Sequence, residues 1–520
     1  MSDYHPFESD RRESGKRKVP SAGRAALLGS VAVLGIAVLA GGSGHFNLSN
    51  IAPTTSAQAA NLSEQASEAK APAGFADLVA KVKPAVISVR VRIAEAGTVG
   101  LGDDNNAFPP GSPMEKFFRQ FGQGSPHGKQ IVTGEGSGFF ISPDGYAVTN
   151  NHVVDHAKTV QVKTDDGTVY KAKVIGTDPK SDLALIKVDT DKTFPYVKFA
   201  DKAPRVGDWV VAVGNPFGLG GTVTAGIVSA RGRDIGSGPY DDYIQIDAPI
   251  NKGNSGGPAF NVEGEVIGVN TAIFSPSGGS VGIGFDIPAA TAKNVIAQLK
   301  EHGKVVRAYM GVTVQPVSPG IAESLGLKQA QGAIVDNTQD GSPAAKAGIV
   351  AGDVITKVND DPVKDSRDLA RTIGNMKPGS SVKVTLLHDG DMKTVTMTLA
   401  KMPSQQQTAS NEQNEEQNDN RTQQSGVPHL GLSVAPATDV AGAGGKGVVV
   451  LGVDPDGPAA QQGFRAGDVI LDVGGKSVGK AADVSKALKQ AQDSGKHAVL
   501  MRVKTAQNTR FIAVPLNKTS

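Results

Sequence analysis

The chain has 520 residues, 39% apolar and 20% charged, so a core can be buried and about three and a half domains of about 150 residues are expected. Its 53 basic and 51 acidic residues leave a net charge of +2, too balanced for a nucleic-acid binder held by phosphate contacts, and 5% aromatics are too few for base-stacking platforms. The absence of cysteine excludes disulfides, thiolate metal ligands and a cysteine nucleophile.

The N-terminus is basic (Arg11, Arg12, Lys16, Arg17, Lys18, Arg24) and leads into an uncharged, mostly apolar run, Ala25 to Ala40. Sixteen residues suit an export signal and are short for a spanning helix. Ala57-Gln58-Ala59 supplies an A-x-A cleavage pattern, so residues 1–59 are read as a signal peptide or, if uncleaved, an inner-membrane anchor with membrane association. The leader points to export across a membrane.

With 64 glycines and 30 prolines and no three-residue period, collagen is excluded and a turn-rich, mainly β protein is favoured. From 74 to 302 the chain reads as short strands between Gly, Pro and Asp turns. Val86 to Val91 is one; Phe139-Phe140-Ile141, a Ser142-Pro143-Asp144-Gly145 turn and Tyr146 to Thr149 make a hairpin. Leu183 to Val188, Trp209 to Val213, Ile227 to Ser229, Tyr243 to Ile246 and Val266 to Val269 continue the series, which suits a barrel or sandwich. An irregular stretch, 97–134, interrupts it and carries Phe117, Phe118 and Phe121. A closing helix starts at Pro288, carries Ala292, Val295, Ile296 and Leu299 on one face, and stops at Gly303.

Downstream the chain repeats itself. Gly341-Ser-Pro-Ala-Ala-Lys-Ala-Gly348 and Ala351-Gly-Asp-Val-Ile355 recur as Gly457-Pro-Ala-Ala-Gln-Gln-Gly463 and Ala466-Gly-Asp-Val-Ile470. The two copies, 305–402 and 429–517, are domain-sized rather than solenoid-sized. The linker between them, 403–428, is rich in Gln and Asn and has no aromatic residue, so it buries too little apolar area to offset its ordering entropy.

The chemistry concentrates at Asn251-Lys252-Gly253-Asn254-Ser255-Gly256-Gly257-Pro258. A serine hydroxyl that attacks an amide needs a base for its proton and donors for the oxyanion. Glycines let the backbone fold so that N–H groups, those of Gly253 and Ser255, converge on one point, with Asn254 shaping the loop. A Gly-rich turn alone is ambiguous, but His152 follows a strand and Asp182 directly precedes one. The order His152, Asp182, Ser255 is that of chymotrypsin, not of subtilisin or the α/β-hydrolases.

On these motifs the sequence resembles the HtrA/DegP family of trypsin-fold serine endoproteases, in its two-PDZ periplasmic form. The stretches that carry the resemblance are GSGFFISPDGYAVTNNHVV (136–154), DPKSDLALIKV (178–188), GNPFGLGGTVTAGIVSA (214–230) and YIQIDAPINKGNSGGPAFNVEGEVIGVNTAI (243–273). The resemblance implies a chymotrypsin/trypsin-like double β-barrel followed by two PDZ domains. It implies Ser255 as nucleophile, His152 as general base, Asp182 as the carboxylate that orients it, and Gly253 and Ser255 as oxyanion donors. Thr271-Ala272-Ile273-Phe274-Ser275 then borders a cleft where a substrate strand pairs with backbone; it holds no acid, so a small aliphatic residue before the scissile bond is expected. Tyr309-Met310-Gly311-Val312 and His429-Leu430-Gly431-Leu432 match the PDZ carboxylate-binding loop. The 97–134 stretch corresponds to a regulatory loop that in some members reaches another subunit, without the cysteine pair some carry.

The implied function is ATP-independent proteolysis of misfolded envelope proteins, with chaperone activity, in a trimer or multiples of trimers. Unfolded proteins and C-terminal peptides are the implied partners. No P-loop occurs, and no cofactor, metal or nucleic acid is expected. Two other readings stay open at this point: a peptide-binding holdase or scaffold, and an anchored signalling protease that cuts one regulator.

Overall fold

The computed structural model describes residues 74–93, 133–216, 221–276, 278–403, 425–427, 430–440, 442–506 and 508–516. The leader, the Phe117-Phe118-Phe121 cluster, residue 429 and the linker as far as 424 lie outside the described residues. A short helix α1 (Ala76–Val82) precedes β1 (Val86–Ile93), β2 (Thr133–Phe140), β3 (Tyr146–Thr149), the one-turn helix α2 (Asn151–Val154), β4 (Ala157–Lys163), β5 (Val169–Asp178) and β6 (Leu183–Val188). These strands close into an antiparallel barrel ordered β1-β2-β3-β6-β5-β4. A second closed barrel, β10-β11-β12-β9-β8-β7, follows from β7 (Trp209–Gly214), β8 (Thr222–Arg233), β9 (Tyr243–Ile246), β10 (Pro258–Phe260), β11 (Val266–Ile273) and β12 (Gly284–Pro288).

The apolar runs of β6, β7 and β11 have a single physical reason: these strands are buried on both faces. In β6, Ala184, Ile186 and Val188 fill the first barrel, while Leu183 and Leu185 turn to the seam between barrels. In β7, Val210 and Ala212 fill the second barrel, while Val211 and Val213 join the same seam. Phe139 and Phe260 meet there, covered by α3 (Ala289–His302) through Ala292, Val295, Ile296 and Leu299. Gly303 ends α3 in the left-handed conformation, φ 69°, as its place after the last apolar residue led one to expect.

The first repeat contributes β13 (Ala308–Tyr309), β14 (Val312–Pro316), α4 (Pro319–Ser324), β15 (Ala333–Thr338), α5 (Pro343–Lys346), β16 (Val354–Val358), β17 (Asp361–Pro362), α6 (Ser366–Gly374), β18 (Ser381–His388), β19 (Asp391–Thr398) and β20 (Ala400–Lys401). The second contributes β21 (Ser425–Val427), β22 (Leu432–Pro436), β23 (Val448–Val453), α7 (Pro458–Gln461), β24 (Val469–Val473), β25 (Lys476–Ser477), α8 (Ala481–Asp493), β26 (Ala498–Lys504) and β27 (Thr509–Pro515). The repeat persists at the level of single hydrogen bonds. Gly352 N–H donates to Val335 O and Val335 N–H to Asp353 O; Gly467 and Val450, then Val450 and Asp468, do the same, each at 2.8 Å.

One difference separates the copies. In the first, β14 is the terminal strand of its sheet; in the second, the matching strand β22 is covered by β21, with Ser425 opposite Val434 and Val427 opposite Leu432. Val427 is fully buried. β21 therefore lies at the end of the 403–428 stretch read from composition as linker, where a buried valine and a strand ladder follow its polar residues. Arg307 ties the first repeat to the double barrel through two bonds to Asp178, at 2.8 and 2.6 Å. Gln315 ties the repeats together, pairing its side-chain amide with the Phe511 backbone at 2.9 and 2.8 Å. No helix among the described residues is long and apolar enough to cross a membrane.

Candidate active site

Each barrel delivers its share of the site from the end of a strand. β3 runs straight into α2, whose second residue is His152. Asn150 and Asn151 hold this turn against the loop before β6: the Asn150 side chain and the Asn151 N–H both donate to the Asp182 carbonyl, at 2.9 and 3.1 Å. Asp182 adopts φ 54°, a left-handed conformation uncommon outside glycine. Both bonds end on the one carbonyl, and the Asp182 carboxylate faces α2.

That carboxylate is buried and fully furnished with donors. Its Oδ1 accepts the His152 backbone N–H at 3.0 Å, and its Oδ2 lies 2.8 Å from His152 Nδ1. The Thr271 hydroxyl from β11 donates to the same Oδ2 at 2.5 Å. A buried carboxylate without such donors would be expensive. Since Asp182 can only accept, the imidazole proton sits on Nδ1 and Nε2 becomes the basic nitrogen. His152 keeps 19% of its side-chain surface exposed, against 2% for Asp182, so the imidazole stands at the rim and the carboxylate beneath it.

The second barrel supplies Ser255 on the tight turn before β10. Gly253 and Gly256 have φ 91° and 85°. A Cβ on Gly253 would lie 2.4 Å from Pro216, and one on Gly256 would lie 2.3 Å from the Ser137 carbonyl, so only glycine fits either place. The turn is stitched to β11 by Gly256 N–H to Asn270 O at 2.8 Å and Asn270 N–H to Gly257 O at 2.9 Å. Ser255 Oγ lies 3.5 Å from the Thr271 carbonyl. Among the described residues, neither the Gly253 nor the Ser255 N–H is spent on a backbone carbonyl. Asn254 is buried, its side chain packed on Gly214 behind the turn.

The remaining sequence-derived positions separate by burial. Thr271, Ala272 and Ile273 are buried, Phe274 is half exposed, and Ser275 Oγ caps the Gly278 N–H at 2.8 Å. Thr271 therefore supports Asp182 from within the protein; the sequence reading placed it on the cleft border without that link. Across the ladder from Asn270 stands Asp286 on β12, a fully buried acid that the sequence reading missed. In the repeats, Met310 and Leu430 are buried, while Gly311 turns with φ 83° and Gly431 with φ 68°. Val312 and Leu432 open β14 and β22.

Residues 136–269 match the trypsin-like peptidase domain family, and 308–399 and 449–500 each match a PDZ domain family. The chain is 50% identical over 470 residues to a probable periplasmic serine endoprotease DegP-like of Brucella suis biovar 1, covering 86% of this chain and 90% of that one. It is 46% identical over 492 residues to the protein of the same description from Rhizobium meliloti, covering 89% and 96%. Among solved structures it is similar to the HtrA-type protease AlgW with tripeptide (35% identity, TM-score 0.53) and with decapeptide (35%, 0.51). Each of these covers 64% of this chain and 99% of the other.

Proposed function

The chain belongs to the DegP-like family of HtrA-type serine endoproteases, and from that premise we propose that Ser255, His152 and Asp182 form its catalytic triad. The observation that carries this reading is the Asp182 carboxylate, which bonds His152 from one barrel and Thr271 from the other. His152 Nε2 takes the Ser255 proton as Oγ attacks the peptide carbonyl. The Gly253 and Ser255 N–H groups stabilise the oxyanion, and Asp182 stabilises the imidazolium. His152 then gives its proton to the leaving amine; water repeats the sequence and frees the acid.

The substrates are unfolded or misfolded envelope proteins in the periplasm, the compartment in the names of the relatives. Substrate main chain pairs near Thr271 to Ser275, with a small aliphatic residue before the scissile bond. The protease unit is 74–302 and the PDZ units are 305–402 and 429–517, assembled as a trimer or multiples of it. Free C-termini pair with β14, whose edge is open in the first PDZ sheet. The same edge favours a holdase role beside proteolysis.

The test is digestion of unfolded casein by the full chain and by Ser255→Ala. The variant should lose about six orders of magnitude in turnover, as nucleophile losses do. Digestion at the parent rate would remove Ser255 from the role. Suppression of aggregation retained by the variant would separate the holdase activity.

A further inference from the structure

The Gly-rich turn that carries the nucleophile has a structural weakness. Glycine adopts either sign of φ at little cost, so a turn built from Gly253, Gly256 and Gly257 can aim its amides correctly or rotate them away. Something outside the turn must select one arrangement; Asn270 on β11 holds the Gly256–Gly257 end, and the bonds to Gly253 and Ser255 come from a single residue of the first barrel.

Ser137 lies on β2, fully buried. Its neighbours Gly136 and Gly138 let β2 run close: a Cβ on Gly136 would lie 2.7 Å from Val153 and 3.1 Å from the Ser255 carbonyl. The Ser137 N–H donates to Ser255 O at 2.8 Å, and its hydroxyl donates to Gly253 O at 2.5 Å. The same hydroxyl accepts the Asn215 N–H at 2.8 Å, which fixes the direction of its proton. The Ser137 carbonyl accepts from the Thr149 hydroxyl at 2.7 Å, on the strand that leads to His152. Thus one residue grips the peptide planes on both sides of Asn254-Ser255 and holds them to the strand that delivers the base. Fixing the Gly253 and Ser255 carbonyls restricts the amide between them, and with it the Ser255 N–H.

We propose that Ser137 is the positioning residue of the oxyanion site, its hydroxyl locking the 253–255 turn so that the Ser255 amide stays aimed at the oxyanion. This rests on the triad and oxyanion reading above and adds the element that holds it. The hydroxyl touches no substrate; it acts through the turn. Loss of one oxyanion donor costs about a hundredfold to a thousandfold in kcat, and a donor mis-aimed part of the time costs less, about tenfold to a hundredfold.

The experiment uses full-length Ser137→Ala with a short peptide anilide and a peptide aldehyde, which becomes a tetrahedral oxyanion on the nucleophile. Expected are a kcat lowered about tenfold to a hundredfold, a KM within about twofold, and an aldehyde affinity that falls in parallel with kcat/KM. Ser137→Thr, which keeps the hydroxyl, should recover most of both. Unchanged kcat and aldehyde affinity in Ser137→Ala would overturn the proposal. So would a lowered melting temperature with unchanged kcat, which marks a purely structural serine. Should Ser137→Ala fail to fold, Ser137→Cys, a weaker donor of similar size, must show the same split or the proposal falls. Ser255→Ala run in parallel separates the two readings: activity retained there sinks the triad, whereas a dead Ser255→Ala beside a normal Ser137→Ala sinks only the lock.

Discussion

The cleft between the two barrels and the interior of the second barrel each enclose a buried aspartate, and their surroundings are opposite. Asp182, in the cleft, accepts from the His152 backbone, the His152 ring and the Thr271 hydroxyl. Asp286, on β12, has no hydrogen-bond partner for either oxygen among the described residues, and its cross-strand neighbour Asn270 also leaves Oδ1 unpartnered. Burial alone pushes the Asp286 carboxyl up to about 8, so it is mostly neutral at pH 7. The two sites are close in the ladder, since Asn270 directly precedes Thr271. What divides them is the supply of donors: Asp182 meets three, while Asp286, which meets none among the described residues, keeps its proton and costs stability.

The contrast is broken most forcefully through Asp182. Asp182→Asn keeps the shape but presents an amide that can donate to Nδ1, which favours the wrong tautomer. A fall in kcat of about ten thousandfold is expected, with little change in melting temperature. A casein assay and a thermal melt on the same sample check both halves. Thr271→Val removes one of the three donors. Hydrogen bonds to charged groups are worth about 1.5–3 kcal/mol, so about tenfold to a hundredfold in kcat is at stake, with KM nearly unchanged. Steady-state kinetics that found KM altered instead would make Thr271 a substrate contact.

Asp286→Asn sharpens the comparison from the other side. Activity at pH 7 should stay within about twofold, and a loss as deep as that of Asp182→Asn would erase the distinction. Its signature lies in stability against pH. The native group holds its proton up to about 8, while the unfolded group gives it up near its ordinary value of 3.8. Between these values the native state binds more protons, so stability falls as pH rises from about 4 to about 8. The variant should lose that slope, its melting temperature relative to the parent being about 10 °C higher at pH 8 than at pH 5. Equal gains at both pH values would mean that Asp286 is not the titrating group.

The difference between these acids also marks how far the sequence could be read. Asp182 was legible because it stands before Leu-Ala-Leu-Ile-Lys-Val, in the chain order that implies a triad. Its left-handed backbone was not, since its carbonyl is held by Asn150 and Asn151, more than thirty residues earlier. Asp286 sits in Gly-Phe-Asp-Ile-Pro, which names no partner; only strand register puts it opposite Asn270. The Thr271 to Ser275 stretch itself holds no acid; it is β12 that brings Asp286 opposite Asn270, one residue before it. Ser137 escaped notice for a similar reason. Its Gly-Ser-Gly setting was part of the resemblance, but its contacts with Gly253 and Ser255 span more than a hundred residues. The PDZ repeats were legible down to the turn of Asp353 and Asp468, because a local pattern makes local bonds. The β21 strand against β22 was not, because composition assigned those residues to the linker.

The most direct test of the central claim is to treat the full chain with a fluorophosphonate, digest it and locate the adduct by mass spectrometry. A single adduct on Ser255, formed with loss of casein digestion and absent when His152→Ala removes the base, is the expected result. An adduct on another serine that tracks the loss of activity, with Ser255 unmodified, would contradict the assignment of the nucleophile and with it the roles given to Asp182 and Ser137.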